Sequence, residues 1–308
     1  MSRAATLGGG FLFACAALGA SVCTPSSAHA APLPPPQLRL PARPAHAVGG
    51  SEFARRTSGL SSEERDRAVV AELERGNMPS FLGHLTPVKL TTNAPDGQAV
   101  AATIWVTPDY LAIGSDDDFL YVPLTYTSAT AVADRFGSVL PTASMVDAIY
   151  EQSAHHLTPV PLPAGPLMRS NLYLSRHQQR IDEQRSGLPL GELISGHKKD
   201  LVLSNRLRQL PGRVAIYGWH TAPGHPIQPL STVHAARYVD YSHGVRLVSA
   251  TVVVDGRPRS IYDALQDSQV APVLSREGVT RDPWGLMHPR VSGLRSAPAH
   301  PRPVARLE

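Results

Sequence analysis

Both cysteines of this chain, Cys15 and Cys23, fall within its first 23 residues. Whatever folds beyond them has no disulfide, no thiolate metal ligand and no cysteine nucleophile. Its stability must come from core burial alone. About 240 residues separate Gly50 from Pro289, enough for one sizeable core or two small ones. The cysteines also sit in a recognisable context. Arg3 precedes the apolar run Gly8 to Val22 (GGGFLFACAALGASV), and Ala28-His29-Ala30 supplies small residues where a signal peptidase reads. Residues 1–30 therefore read as an export signal cleaved before Ala31. A rival reading makes Cys23 a lipidated residue, although Val22 is bulky where that signal wants a small side chain. No later run reaches the roughly twenty apolar residues of a transmembrane helix.

The formal net charge of +4 is mild. The basic excess lies partly in the tail, with Arg290, Arg295, Arg302 and Arg306 against Glu308. There is no basic stripe interleaved with aromatics, so nucleic acid is not an expected partner. Residues 31–50 (APLPPPQLRLPARPAHAVGG) read as a semi-extended Pro/Ala-rich linker, and residues 289–308 as a disordered, basic, Pro-rich tail.

Between these ends the pattern changes once. Residues 51–190 read as a mixed helix and strand region. Ser61 and Glu64 have capping-box spacing ahead of Val69, Val70 and Leu73, with Gly76 as the stop. Val100 to Gly114 reads as two strands broken at Pro108, Ser115 to Asp118 as a turn, and Phe119 to Leu124 as a strand. Thr127–Phe136, Thr142–His156 and Asn171–Arg185 read as helices. Residues 191–288 read as β-rich, with strands at Asp200–Ser204, Arg213–Trp219, Arg237–Tyr241 and Val245–Val254. A turn at Asp255-Gly256 and a helix from Ser260 to Leu265 follow. Helices first and strands later predict an α+β fold: a helical N-terminal part, then a β-rich, mostly antiparallel C-terminal part.

Five of the thirteen histidines lie between Gly191 and Ser249: His197, His220, His225, His234 and His243. Asp200, Asp240, Tyr241 and Ser242 sit among them. Neutral imidazoles from separate strand ends can share a zinc ion and leave a coordination position for water. His220, His234 and His243 are the candidate metal ligands. His197, Asp200, Asp240 and Ser242 are the candidate catalytic residues, the carboxylates orienting an imidazole. Ser242 and His243 are adjacent and would point to opposite faces of a strand, so Ser242 would need another histidine such as His220. Asp116-Asp117-Asp118 lacks the spacing of an EF-hand loop and reads as a solvated turn. His155-His156 reads as a helix end.

Three resemblances accompany these motifs. Ser242-His243-Gly244-Val245-Arg246-Leu247 resembles the Ser-His-Gly-Cys-x-Arg signature of L,D-transpeptidases, and Val214 to His220 resembles the strand bearing that family's first histidine. Val245 follows Gly244 directly, so a thioacyl intermediate is excluded. Ser231-Thr232-Val233-His234 to Asp240 is similar to the metal motif of zinc D-Ala-D-Ala peptidases, one residue short and with Trp219-His220 upstream instead of downstream. Pro108 to Asp116 and Gly196 to Asp200 are similar to phrases in a set of exported bacterial proteins with no assigned activity. The first two imply wall chemistry. The leading expectation is an exported cell-envelope hydrolase acting on peptidoglycan peptides through the His/Asp cluster. The alternative is a non-catalytic envelope protein that stacks wall peptide or glycan on Trp219, Tyr217 and Tyr241, with a structural His/Asp cluster.

Overall fold

The computed structural model describes residues 36–289. The expected export signal, the first five linker residues and nearly all of the expected tail lie outside the described residues. The described part of the linker, 36–49, forms neither helix nor strand. It is docked on the fold: the Arg39 amide donates to the Phe136 carbonyl, and Arg43 Nε donates to Asn77 Oδ1 and the Gly114 carbonyl.

The first half of the fold runs α1 (Gly50–Arg56), α2 (Ser62–Glu74), β1 (Thr86–Asn93), β2 (Ala99–Val106), β3 (Ala112–Gly114), β4 (Phe119–Tyr121), α3 (Tyr126–Arg135), β5 (Ser138–Val139), α4 (Ala143–Gln152), β6 (His155–His156) and α5 (Asn171–Arg185). The capping box at α2 forms as its spacing predicts: Ser61 Oγ accepts from the Glu64 amide, and Glu64 Oε2 accepts from the Ser61 amide. The expected helix through His155-His156 stops at Ser153, and these histidines form a short parallel ladder with Ile194 and Ser195.

The second half runs β7 (Ile194–Ser195), β8 (Lys199–Leu201), α6 (Arg206–Gln209), β9 (Ile216–Ala222), β10 (His225–Ser231), β11 (His243–Gly244), β12 (Val248–Ser249), β13 (Thr251–Val254), β14 (Arg257–Ser260), α7 (Ile261–Gln266), α8 (Ala271–Leu274) and α9 (Pro283–Met287). The fold is therefore mixed α+β. The expected division into a helical first part and a β-rich second part holds only in part, because the longest strand pair, β1–β2, lies in the first half and three helices close the described chain.

Two sheets carry the architecture. A six-stranded antiparallel sheet has the order β14-β13-β2-β12-β5, with β1 also on β2. Its core face follows strand periodicity, with Val100, Ala102, Ile104 and Val106 buried on β2 and Val88 and Leu90 buried on β1. A four-stranded sheet has the order β10-β9-β8-β11, and only β8–β11 is parallel. Helix α4, capped by Thr142, packs against β9 and turns Val146, Ile149 and Tyr150 inward. The expected strand Arg237–Tyr241 does not form. Asp240 Oδ1 accepts from the Ser242 amide and Oγ, a local turn that competes with strand pairing.

Candidate functional site

All but one of the buried side-chain polar atoms that lack a partner among the described residues belong to His177, Ser195, His197, Asp200, Trp219, His243 and Arg246. The exception is Ser138. Buried polar atoms are normally bonded, so such a concentration marks a site. It falls where β8, β9 and β11 meet α4, α5 and the loop before β3.

A small cavity borders four of these residues, Ser195, Asp200, Trp219 and Arg246, and is lined also by Tyr110, Tyr150 and His220, among others. It measures ≈ 10 Å³, room for about one water molecule. Asp200 comes from β8. Its Oδ2 accepts from Tyr110 Oη at 2.8 Å, and its Oδ1 is unpartnered. Burial raises its carboxyl to about 6, against the opposing pull of Arg246 and the Tyr110 hydrogen bond. His220 comes from β9. Its Nε2 lies 2.9 Å from Asp147 Oδ1 on α4, and its ring stacks on Tyr150 at 4.7 Å. Asp147 is fixed in turn by Tyr217 Oη at 2.7 Å and by Arg276. Burial lowers the His220 pKa, so its imidazole is neutral at pH 7. Arg246, fully buried, clamps the Thr107 and Ile194 carbonyls with its two terminal nitrogens and leaves Nε–H unpartnered.

Backbone geometry makes room for this arrangement. Gly218 has φ +108° and Trp219 has φ +57°, a left-handed kink inside β9. A side chain on Gly218 would meet Asp200 Oδ2 and Val146 Cγ1 at 3.3 Å and His220 Cε1 at 3.7 Å. Asp200 and His220 thus border the same point from neighbouring strands.

Behind the cavity lies an ion cluster. Asp109 Oδ2 accepts from Tyr121 Oη at 2.6 Å and pairs with Arg185. His197 stands 3.3 Å from Asp109 Oδ1, with neither ring nitrogen in a well-aligned hydrogen bond. Burial opposes the Asp109 charge, but His197, Arg185 and Arg246 together hold its carboxyl well below the usual carboxylate range. Lys198, buried beside it, donates to the Tyr241 carbonyl at 2.8 Å and sits 3.2 Å from His177 Nδ1. Burial lowers this ammonium to about 7, and burial with the Lys198 charge holds His177 well below its usual range.

The remaining sequence-predicted residues form a third group. Ser242 Oγ donates to Asp240 Oδ1 at 2.6 Å, and Tyr238 Oη donates to Asp240 Oδ2 at 3.0 Å. His234 stacks on Tyr238 at 4.0 Å, and His243 meets the same ring edge-on at 5.8 Å. Both nitrogens of His243 are buried and unpartnered, and burial lowers it to about 4.

The structure therefore divides the predicted site residues among three places. Asp200 and His220 share the cavity. His197 joins Asp109. His234, Asp240, Ser242 and His243 stand together. His220, His234 and His243, expected to share a metal, are not gathered, and no group of three or more His, Cys, Asp or Glu side chains among the described residues could hold one. Ser242 is committed to Asp240 and has no histidine partner. His225 is exposed at the start of the edge strand β10. Trp219 and Tyr241, expected to stack on a ligand, are buried against Tyr173. Sequence reasoning missed Asp109, Tyr110, Asp147 and Arg185, and it quoted Arg246 within the Ser242 to Leu247 phrase without giving it a role. The only hint was that two of the quoted phrases, Pro108 to Asp116 and Gly196 to Asp200, proved to touch through Asp109–His197 and Tyr110–Asp200.

No known protein family, no curated protein and no solved structure matches this chain. No helix among the described residues is long and apolar enough to cross a membrane. Function must be argued from the site itself.

Proposed function

We propose that this protein is an acyl hydrolase of the cell envelope, acting on peptide bonds of the wall, with Asp200 and His220 as its acid and base. One observation carries the reading: a buried carboxyl raised to about 6 borders a water-sized cavity together with a neutral histidine held by a second carboxylate. Burial shifts both groups at one cavity, raising the proton affinity of the carboxyl and lowering that of the imidazole, and perturbed titratable neighbours of this kind suit acid–base chemistry. Donation of Nε2–H to Asp147 leaves the His220 lone pair on Nδ1. In the proposed step Nδ1 takes a proton from the cavity water as its oxygen bonds to the substrate carbonyl carbon. The cavity must open for the substrate carbonyl to reach this water, and the carbonyl oxygen then gains the negative charge, which the unpartnered Nε–H of Arg246 stabilises. The carbon–nitrogen bond then breaks, and protonated Asp200 supplies the proton the departing amine needs. The imidazolium returns the water's proton to Asp200 through solvent, which restores both groups.

The envelope assignment rests on the expected export signal, and the peptide substrate on the wall-enzyme resemblances of the 214–247 segment. The test is release of soluble peptides from purified sacculi. Wild-type protein is expected to release them. Asp200→Asn and His220→Gln are expected to lose about 10²- to 10⁴-fold in kcat/KM with melting temperatures near wild type. Undiminished release by both variants would sink the assignment.

A further inference from the structure

A cation with no hydrogen-bonded counter-ion sits on the β8–β11 edge, with Asp240 as the carboxylate that acts on it through space. Lys199 Nζ makes no salt bridge or hydrogen bond with any described residue and lies 4.8 Å over the Trp219 ring. Its ammonium is half-buried, an unfavourable place for an unpaired charge. His243 is its register partner across the parallel pair, so the two side chains leave the same face of adjacent strands. His243 offers two unpartnered ring nitrogens. Half-buried His234 and Tyr238 form the open side, and the Arg169 guanidinium lies 5.9 Å from the same Tyr238 ring. Arg213 stands beside His234, and Lys198 lies beneath His243. Against these stands one carboxylate, Asp240. Its oxygens are taken by the Ser242 amide and hydroxyl and by Tyr238, so it serves its own turn and is no hydrogen-bonded partner of Lys199.

We propose that Lys199 and His243, with His234 and Arg169 at the rim, bind a singly charged carboxylate group of a ligand. The charge balance selects that class. Lys199, Arg169 and Arg213 outweigh Asp240 and leave the patch net positive, which favours an anion, while the Asp240 charge weighs more heavily against a dianion such as phosphate than against a monoanion. Burial keeps His243 and His234 neutral at pH 7, so they act as donors and add no further charge. This site is separate from the Asp200–His220 cavity and stands or falls without it.

The test follows the His243 ring resonances by NMR during titration of the full chain with N-acetylglycine, its uncharged counterpart N-acetylglycinamide, and inorganic phosphate. The acid is expected to give saturable shifts, and the amide none. Lys199→Met should weaken the acid at least tenfold, about the 1.4 kcal/mol of one ion pair, while Lys199→Arg retains binding and Asp147→Asn leaves it unchanged. A melting curve identifies any variant that fails to fold, in which case Lys199→Gln replaces the methionine variant. Equal response to acid and amide, wild-type affinity in the folded lysine variant, tighter phosphate binding, or no saturable shift with the acid would overturn the proposal.

Discussion

Asp200 shows how one residue's surroundings set its chemistry. A carboxyl on a solvated loop ionises near 4, whereas this one, buried with a single hydrogen-bond donor, is raised to about 6. As a general acid it must carry its proton, so kcat/KM is expected to fall as pH rises above about 6. Asp200→Asn should abolish that alkaline limb along with most of the rate, and a pH–rate profile of both proteins checks it. Asp109 is the contrasting case. Its Arg185 and Tyr121 partners make it a permanently charged anchor, and all three are buried. Removing one partner strands the other charge, so Arg185→Met is expected to cost about 3–5 kcal/mol, read from urea unfolding.

At the scale of elements, the kink at Gly218-Trp219 decides how β9 meets β8. Alanine at Gly218 must adopt φ +108° and place its methyl group 3.3 Å from Asp200 Oδ2 and Val146 Cγ1. Gly218→Ala is expected to destabilise the fold by about 1–3 kcal/mol and to reduce activity more than Gly224→Ala, where φ is also positive but the space is open. Thermal melts and rates on the two variants distinguish them. The elements legible in the sequence were those with strong local signals. Helix α2 announced itself by its capping box and apolar stripe, the expected helices Thr127–Phe136 and Asn171–Arg185 coincide closely with α3 and α5, and β2 and β13 fall within expected strands apart from Ala99. Strand β10 was invisible because it is an exposed edge carrying Pro226 and Pro229. The site was half legible. Histidine crowding pointed to the right strands, but Asp147 and Arg185 reach it from helices 73 and 12 residues away from His220 and His197. Only the tertiary fold brings such partners together.

Across the whole molecule, the buried imidazoles make stability depend on pH. His243, His197 and His177 all have folded pKa values below 6.5, so the unfolded chain binds more protons than the folded one as pH drops. Their contribution is fully present above about 6.5 and is lost as pH falls toward about 4. Asp200 acts oppositely between its unfolded value and about 6, as do Asp182 and His288 with their raised affinities, but the five lowered histidines, His220 and His234 included, outnumber them. Melting temperature is therefore expected to rise from pH 5 to pH 7, with a shallower slope in His243→Gln. The two sheets and their shared core hold these groups away from water, and the same enclosure that costs stability in acid leaves a water-sized cavity beside His220 and Asp200. The most direct measurement is digestion of purified sacculi by the protein in ¹⁸O-labelled water, with mass spectrometry of the released peptides. Wild-type protein is expected to leave one ¹⁸O in each newly formed carboxylate, and Asp200→Asn or His220→Gln to yield labelled product about 10²- to 10⁴-fold more slowly. Absence of labelled product from wild-type protein, or equally fast labelling by the variants, would contradict the account.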